Sequence, residues 1–171
     1  MSRSTVPSLA SRLLRRIDRL APPATAHAHC DIPCGIYDPH FMQVAALSVL
    51  RMNQLIDGLD VADAKANAHA ISRFTTVKEE HAEIVKREVR IIYGDYFKPE
   101  HVEKHKNIPE LTWSILKKAG AARQNIDLKA AEELLGLCQQ FAEIFWDTKG
   151  VPTKKQPSNQ AAGGEFVVPA N

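Results

Sequence analysis

The sequence predicts an all-α protein, an antiparallel four-helix bundle, and three observations carry that expectation. Apolar residues recur at steps of three and four along four stretches, the links between them are short, and no stretch alternates at the period of a strand. With 171 residues, 44% of them hydrophobic and 25% charged, the chain has the length and apolar content of one ordinary globular domain that needs no stapling.

The elements follow in order. Residues 6 to 20 place Leu9, Leu13, Ile17 and Leu20 on one side with arginines between them, a basic amphipathic helix able to bind a partner. Ala21-Pro22-Pro23 stops it and opens an accessible linker. Ala26-His27-Ala28 has the small-x-small form that processing proteases accept, and it ends just before His29. The arginines interrupt every candidate for the apolar core of a secretory signal. Residues 1–28 therefore read either as a removable basic leader, a propeptide or an organelle transit peptide, or as a flexible arm.

After a short hook at 29–39, Ala45, Val49, Met52, Ile56 and Leu59 draw the seam of a first bundle helix ending near Gly58. Asp60 or Asp63 can cap the next, whose seam runs Ala70, Phe74, Val77, His81, Ile84, Glu88 and Ile91 and which should end at Gly94. Asp95-Tyr96-Phe97-Lys98-Pro99 breaks the pattern, because the residue before a proline is pushed out of the helical region. Pro109 suits the first turn of a third helix with Ile108, Leu111, Ile115, Ala119 and Ala122 on one side. Asp127 can cap a fourth, with Ala131, Leu134, Cys138, Phe141 and Phe145 on its seam and Trp146 beside it. The bundle thus spans 40–150. Residues 151–171 are polar and rich in Pro and Gly, which predicts a disordered tail. No internal repeat is found.

Charge and cysteine usage narrow the function. The net charge of +2 divides into +4 over residues 1–28 and about −2 over the remainder, a body that gives nucleic acid no reason to bind. No apolar run approaches the roughly 18 residues of a membrane span, so no membrane partner is expected. Cys30, Cys34 and Cys138 are too few and too unevenly placed for a disulfide framework. Cys138 sits on an apolar seam and reads as a small buried hydrophobe.

That leaves the hook, His29-Cys30-Asp31-Ile32-Pro33-Cys34-Gly35-Ile36-Tyr37-Asp38-Pro39. Its C-x3-C spacing is not the C-x2-C of zinc ribbons or thioredoxin-like sites, and no second pair completes a thiolate cage. A cut between Ala28 and His29 would create a free α-amine beside the His29 imidazole, the Cys30 amide and two thiolates. An amine, a deprotonated amide and two thiolates can lie in one plane around an ion, a donor set that selects nickel(II) or copper(II) over zinc. The imidazole is then left for an axial position. Pro33 and Gly35 permit the turns such a wrap requires. Asp31 and Tyr37 are close enough in sequence to reach the open face and order water or a small anion there.

The run H-C-D-I-P-C-G-I-Y-D-P resembles the nickel hook of nickel-containing superoxide dismutases, and the similarity continues through T-V-K-E-E-H-A-E, D-Y-F-K-P-E-H and I-F-W-D-T-K-G, covering roughly residues 29 to 150. The resemblance implies a four-helix-bundle subunit in a homohexamer and a propeptide removed by a maturation protease, so that His29 becomes the first residue. It also implies one nickel ion per subunit. The metal ligands would be His29, through its α-amine and axial imidazole, Cys30, through its amide and thiolate, and Cys34. The candidate catalytic residues are Asp31, Tyr37 and Tyr96, lining the approach, and Lys98, which helps draw the anion in. The substrate would be superoxide, dismuted to oxygen and hydrogen peroxide through a nickel(II)/nickel(III) cycle.

The chain departs from the family's pattern at two places. Ala45 stands where a glutamate supports the axial imidazole, and His81 stands where an arginine supports that glutamate. His81 or Glu88 can take over part of that role, or His81 is a core histidine satisfied by a neighbour. Two other classes remain open from the residues alone: a nickel or copper carrier using the same hook without turnover, and a helical redox or interaction module in which Cys30 and Cys34 form a reversible disulfide. Free thiolates and the missing signal core favour the cytoplasm.

Overall fold

The computed structural model describes residues 35–59 and 62–170. The expected leader helix and linker, the hook residues His29 to Cys34 and the capping candidate Asp60 lie outside the described residues. The rest is mostly helical. Helix α1 is His40–Asp57, α2 is Ala64–Ile91, α3 is Pro99–Lys104, α4 is Ile108–Gln124 and α5 is Leu128–Thr148. Strands β1, Thr153–Pro157, and β2, Glu165–Pro169, close the chain. Among the described residues no helix is long and apolar enough to cross a membrane.

Helix starts and stops follow local chemistry. Asp38 Oδ1 accepts the His40 N–H at 2.8 Å where α1 begins, and the Gly58 N–H returns to the Gln54 carbonyl at 3.0 Å where it ends. Asp63 caps α2 by accepting the N–H groups of Lys65 and Ala66 at 3.1 and 3.0 Å. Asp127 does the same for α5, taking the Ala130 N–H at 2.9 Å. Helix α2 does not stop at Gly94 as its sequence predicts. It runs on into a π-helical turn, Ile92–Tyr96, closed by the Phe97 N–H on the Ile92 carbonyl at 3.1 Å. Lys98 then turns extended ahead of Pro99, which opens α3.

Helices α1 and α4 each pack on both α2 and α5, and the core lies between the four. On α4 the expected seam Ile108, Leu111, Ile115, Ala119 and Ala122 is buried throughout, as are Ala131, Leu134, Cys138, Phe141 and Phe145 on α5. On α1, Ala45, Val49 and Ile56 are buried while Met52 and Leu59 are half-buried. Helix α2 differs in phase. Its buried line is Lys78, Ala82, Val85 and Val89, continued by Ile92, one residue on from the expected seam, which lies half-buried on the flank. Beyond Lys78, small and β-branched residues take the buried line, and Ile84 packs against the core from beside it.

The C-terminal segment is not the disordered tail its composition predicts. β1 and β2 pair antiparallel in the register Lys155 opposite Val167, and Gly163 and Gly164, at φ 72° and 74°, belong to the turn before β2. Docking overrides composition here. Val167 is 1% exposed, Phe166 packs on the core, and a Cβ on Gly164 would lie 3.2 Å from both Leu47 on α1 and Leu135 on α5.

In this register Glu165 and Val167 turn their backbone polar groups away from β1, and side-chain amides from the helices meet them. Gln43 Nε2 donates to the Val167 carbonyl at 3.0 Å while the Val167 N–H donates to Gln43 Oε1 at 2.7 Å. Gln139 Nε2 donates to the Glu165 carbonyl at 2.7 Å, and Gln54 Nε2 to the Ala162 carbonyl at 3.1 Å. An edge that would otherwise be open is closed by glutamines.

Candidate metal centre

Gly35 to Pro39 carry the chain from the hook into α1. Gly35 sits at φ 70°, a conformation that costs a residue with a Cβ about 1–2 kcal/mol. Pro39 is buried and the Tyr37 ring is half-buried against the core. Across from it stands Tyr96, with ring centroids 5.6 Å apart and planes tilted by 51°. The two tyrosines that the sequence places on the approach, far apart in the chain, therefore face one another.

Tyr96 is the hub of this corner because the π-helical turn delivers it there. Its ring lies 4.6 Å from Phe145, 5.4 Å from Phe97 and stacks at 5.4 Å on His101. Thr148 Oγ1 donates its one proton to the Phe145 carbonyl at 2.6 Å, so in the 2.8 Å bond between the two hydroxyls Tyr96 is the donor. Lys149 Nζ stands 5.2 Å over the Tyr96 ring, a cation against its negative face. Lys98, exposed at the start of α3, donates its backbone N–H to His101 Nδ1 at 3.2 Å, which leaves the ring proton of a neutral His101 on Nε2.

Helix α3 is tied to the end of α5 by Asp147, whose Oδ2 lies 2.6 Å from Lys104 Nζ and 2.7 Å from His105 Nε2. The Lys104 hydrogen bond, aided by His105, holds the Asp147 carboxyl below the usual carboxylate range. Thr148, Lys149, His101 and Asp147 are the surrounding residues that sequence reasoning missed. The available signal was the D-T-K of I-F-W-D-T-K-G, but its partner Tyr96 stands 52 residues from Thr148.

The two departures from the family's pattern fall on α1 and α2. Ala45 is 2% exposed and offers only a methyl group. His81 Nδ1 donates to the Val77 carbonyl of its own helix at 2.8 Å, so a neighbour satisfies one nitrogen and Nε2 remains. Glu88 is engaged by the Arg87 guanidinium at 3.1 Å.

Among the described residues no group of three or more His, Cys, Asp or Glu can hold a metal ion. Cys138 is fully buried and burial pushes its thiol far up, so it remains protonated and supplies no thiolate. Of the chain's three cysteines only Cys30 and Cys34 remain as soft anionic donors. An amine, an amide and two thiolates suit nickel, so the donor chemistry fits it. The expected ligands His29, Cys30 and Cys34, with Asp31, lie outside the described residues.

Comparison with known proteins points the same way. Residues 24–149 match the family model of nickel-containing superoxide dismutase. The chain is 37% identical over 129 residues to a superoxide dismutase [Ni] of Streptomyces coelicolor, covering 75% of this chain and 94% of that protein. It is 33% identical over 129 residues, with the same coverage, to that of Streptomyces seoulensis. Among solved structures, native nickel superoxide dismutase superposes with a TM-score of 0.64 at 37% identity, covering 71% of this chain and 99% of the other. A nickel-containing superoxide dismutase with nickel ligation corresponding to the oxidised state gives a TM-score of 0.65 at 34% identity, with the same coverage. A hook whose donors suit nickel, followed by a helical body matched almost throughout, places this chain in the nickel-containing superoxide dismutase family.

Proposed function

We propose that in this nickel-dependent superoxide dismutase the hook would hold the nickel, through the α-amine of a processed His29, the Cys30 amide nitrogen, the Cys30 and Cys34 thiolates and the His29 imidazole. The observation that carries the reading is the opposed pair Tyr37 and Tyr96 at 5.6 Å, at the point where the hook region enters the helical body. When bound, nickel supplies a one-electron couple by which one superoxide is oxidised to oxygen and a second is reduced, taking up two protons to become hydrogen peroxide.

The chain's own residues do the rest. Tyr37 and Tyr96 form the wall of the approach and limit what reaches the hook. Thr148 holds the Tyr96 hydroxyl to one side, so Tyr96 contributes its ring; Tyr37, nearer the hook in the chain, would orient the incoming anion. Lys98 and Lys149 place positive charge near this corner and raise the encounter rate with an anion. Asp31 orders water at the open face. With Ala45 unable to accept a hydrogen bond, His81 or Glu88 would have to take over part of the support that the family's glutamate gives.

The same reading takes the four long helices as an antiparallel four-helix bundle, the subunit as one of six in a homohexamer with one nickel each, and residues 1–28 as a propeptide removed by a maturation protease. It places the protein in the cytoplasm. The test is superoxide decay with nickel-loaded chain beginning at His29, beside an otherwise identical chain retaining Ala28. Activity in the first alone is expected. Equal activity in both removes the amine from the ligand set, and nickel binding without turnover in either makes the protein a nickel carrier.

A further inference from the structure

The family match ends at residue 149, yet the hairpin that follows is paired and docked on the helices. Its contacts on α1 fall along one stripe. The Phe166 ring meets His40 edge-on with centroids 5.1 Å apart, Gln43 bonds Val167 through both its amide atoms, Leu47 lies beneath Gly164, and Gln54 bonds Ala162. Positions 40, 43, 47 and 54 recur at helical spacing, so β2 and the turn before it touch one side of α1 from its exposed first residue onward.

Apart from that contact, the first turn is held by Asp38, whose Oδ1 accepts the His40 N–H at 2.8 Å. The N-cap is Pro39, which makes no side-chain cap hydrogen bond, and the first turn carries no acidic residue to offset the helix dipole. Helix ends fray unless their orphan groups and side chains are held, and a single Asp38 bond leaves the rest of this turn to the hairpin. His40 is also six residues beyond Cys34, so any fraying of α1 is passed directly to the covalent attachment of the hook.

We propose that the C-terminal hairpin is a brace that keeps the first turn of α1 wound and thereby fixes the exit of the nickel hook, with Phe166 and Gln43 as its positioning residues. The proposal rests on the assignment of nickel to the hook. Binding by a preorganised loop avoids the ordering cost that a loose one meets, so the brace acts on how long nickel is held.

The experiment compares the intact nickel-loaded protein with a chain ending at Gly150, with Phe166→Ala, and with Phe166→Tyr, which keeps the ring. Two quantities are read: amide hydrogen exchange over residues 36–47 against residues 111–122 of α4, and nickel release to excess chelator, followed by loss of the nickel–thiolate absorption. The truncated and Phe166→Ala chains are expected to exchange faster at 36–47 with α4 unchanged and to release nickel on the order of tenfold faster. Phe166→Tyr should behave as the intact protein. Should the truncated chain fail to fold, Phe166→Ala decides alone. Release from Phe166→Ala at the intact rate overturns the proposal, as does unchanged exchange at 36–47. An intact chain that holds no nickel is a separate result, read before any variant is made: it sinks the metal assignment and the brace with it.

Discussion

Gln43 on α1 and Val167 on β2 exchange two hydrogen bonds, at 3.0 and 2.7 Å, and both residues are fully buried. A side-chain amide here does the work of a neighbouring strand. Gln43→Leu keeps the volume and removes both partners, leaving a buried N–H and a buried C=O unpaired. At about 1–3 kcal/mol for each such group, the expected loss is about 2–6 kcal/mol. The check is a lowered urea midpoint with an unchanged slope, since the surface exposed on unfolding is the same.

The glycines before β2 separate two effects that are usually confounded. Gly163 and Gly164 both lie in the left-handed region, but nothing stands within 4 Å of a Cβ on Gly163, whereas one on Gly164 meets Leu47 and Leu135 at 3.2 Å. Gly163→Ala should cost the backbone penalty alone, about 1–2 kcal/mol. Gly164→Ala adds overpacking of about 1–3 kcal/mol. Thermal unfolding of the two variants, side by side, measures the difference; equal shifts would mean that the two leucines yield freely.

Lys78 is 2% exposed on α2, and its Nζ donates to the Asn125 carbonyl at 2.5 Å at the end of α4. Burial lowers its pKa from the ordinary 10.5, opposed in part by Glu79. Between the lowered value and 10.5 the unfolded chain binds a proton that the native chain does not, so stability rises with pH across that window. Below it, the cost of burying the cation is present in full. Lys78→Met removes the titrating group, and the alkaline rise should vanish. Urea unfolding at a series of pH values up to 10.5 reads this directly, and a rise that persists in the variant would assign it to another group.

How far these features are legible in the sequence depends on how local their causes are. Ile108, Leu111, Ile115, Ala119 and Ala122 were readable as a buried line because each helix turn repeats the same choice, and Asp127 because a cap acts over three residues. The phase of α2 was not, since Phe74, Ile84 and Ile91 make an apolar stripe as regular as Ala82, Val85 and Val89, and only the neighbouring helices choose between them. The hairpin was hidden for a related reason. Its polar β1 resembles a tail, and the glutamine that closes β2 stands 124 residues away from Val167. Tyr37, Tyr96 and Lys98 could be named from the likeness of their motifs to a family, while Thr148, which decides where the Tyr96 proton points, became visible only through contact.

In the proposed function Tyr37 and Tyr96 divide the work at the approach, and the hydrogen bond of Tyr96 supports that division. Tyr96 is the donor to Thr148, so its hydroxyl is committed to the end of α5 and, on this reading, its ring would serve as wall. Tyr37→Phe keeps the ring that packs at 5.6 Å and removes only the hydroxyl. Nickel content should be unchanged by metal analysis, because the ligands are untouched, while turnover falls by about tenfold, the effect of one lost hydrogen bond of about 1.4 kcal/mol at the transition state. Thr148→Val should lower turnover less, since it frees the Tyr96 hydroxyl without removing either ring, and Thr148→Ser should restore it. Superoxide decay measured on the three variants at equal nickel loading tests the division. A Tyr37→Phe chain that binds no nickel would make Tyr37 part of the metal's support rather than of the approach, and a larger loss at Thr148 than at Tyr37 would exchange the roles of the two tyrosines.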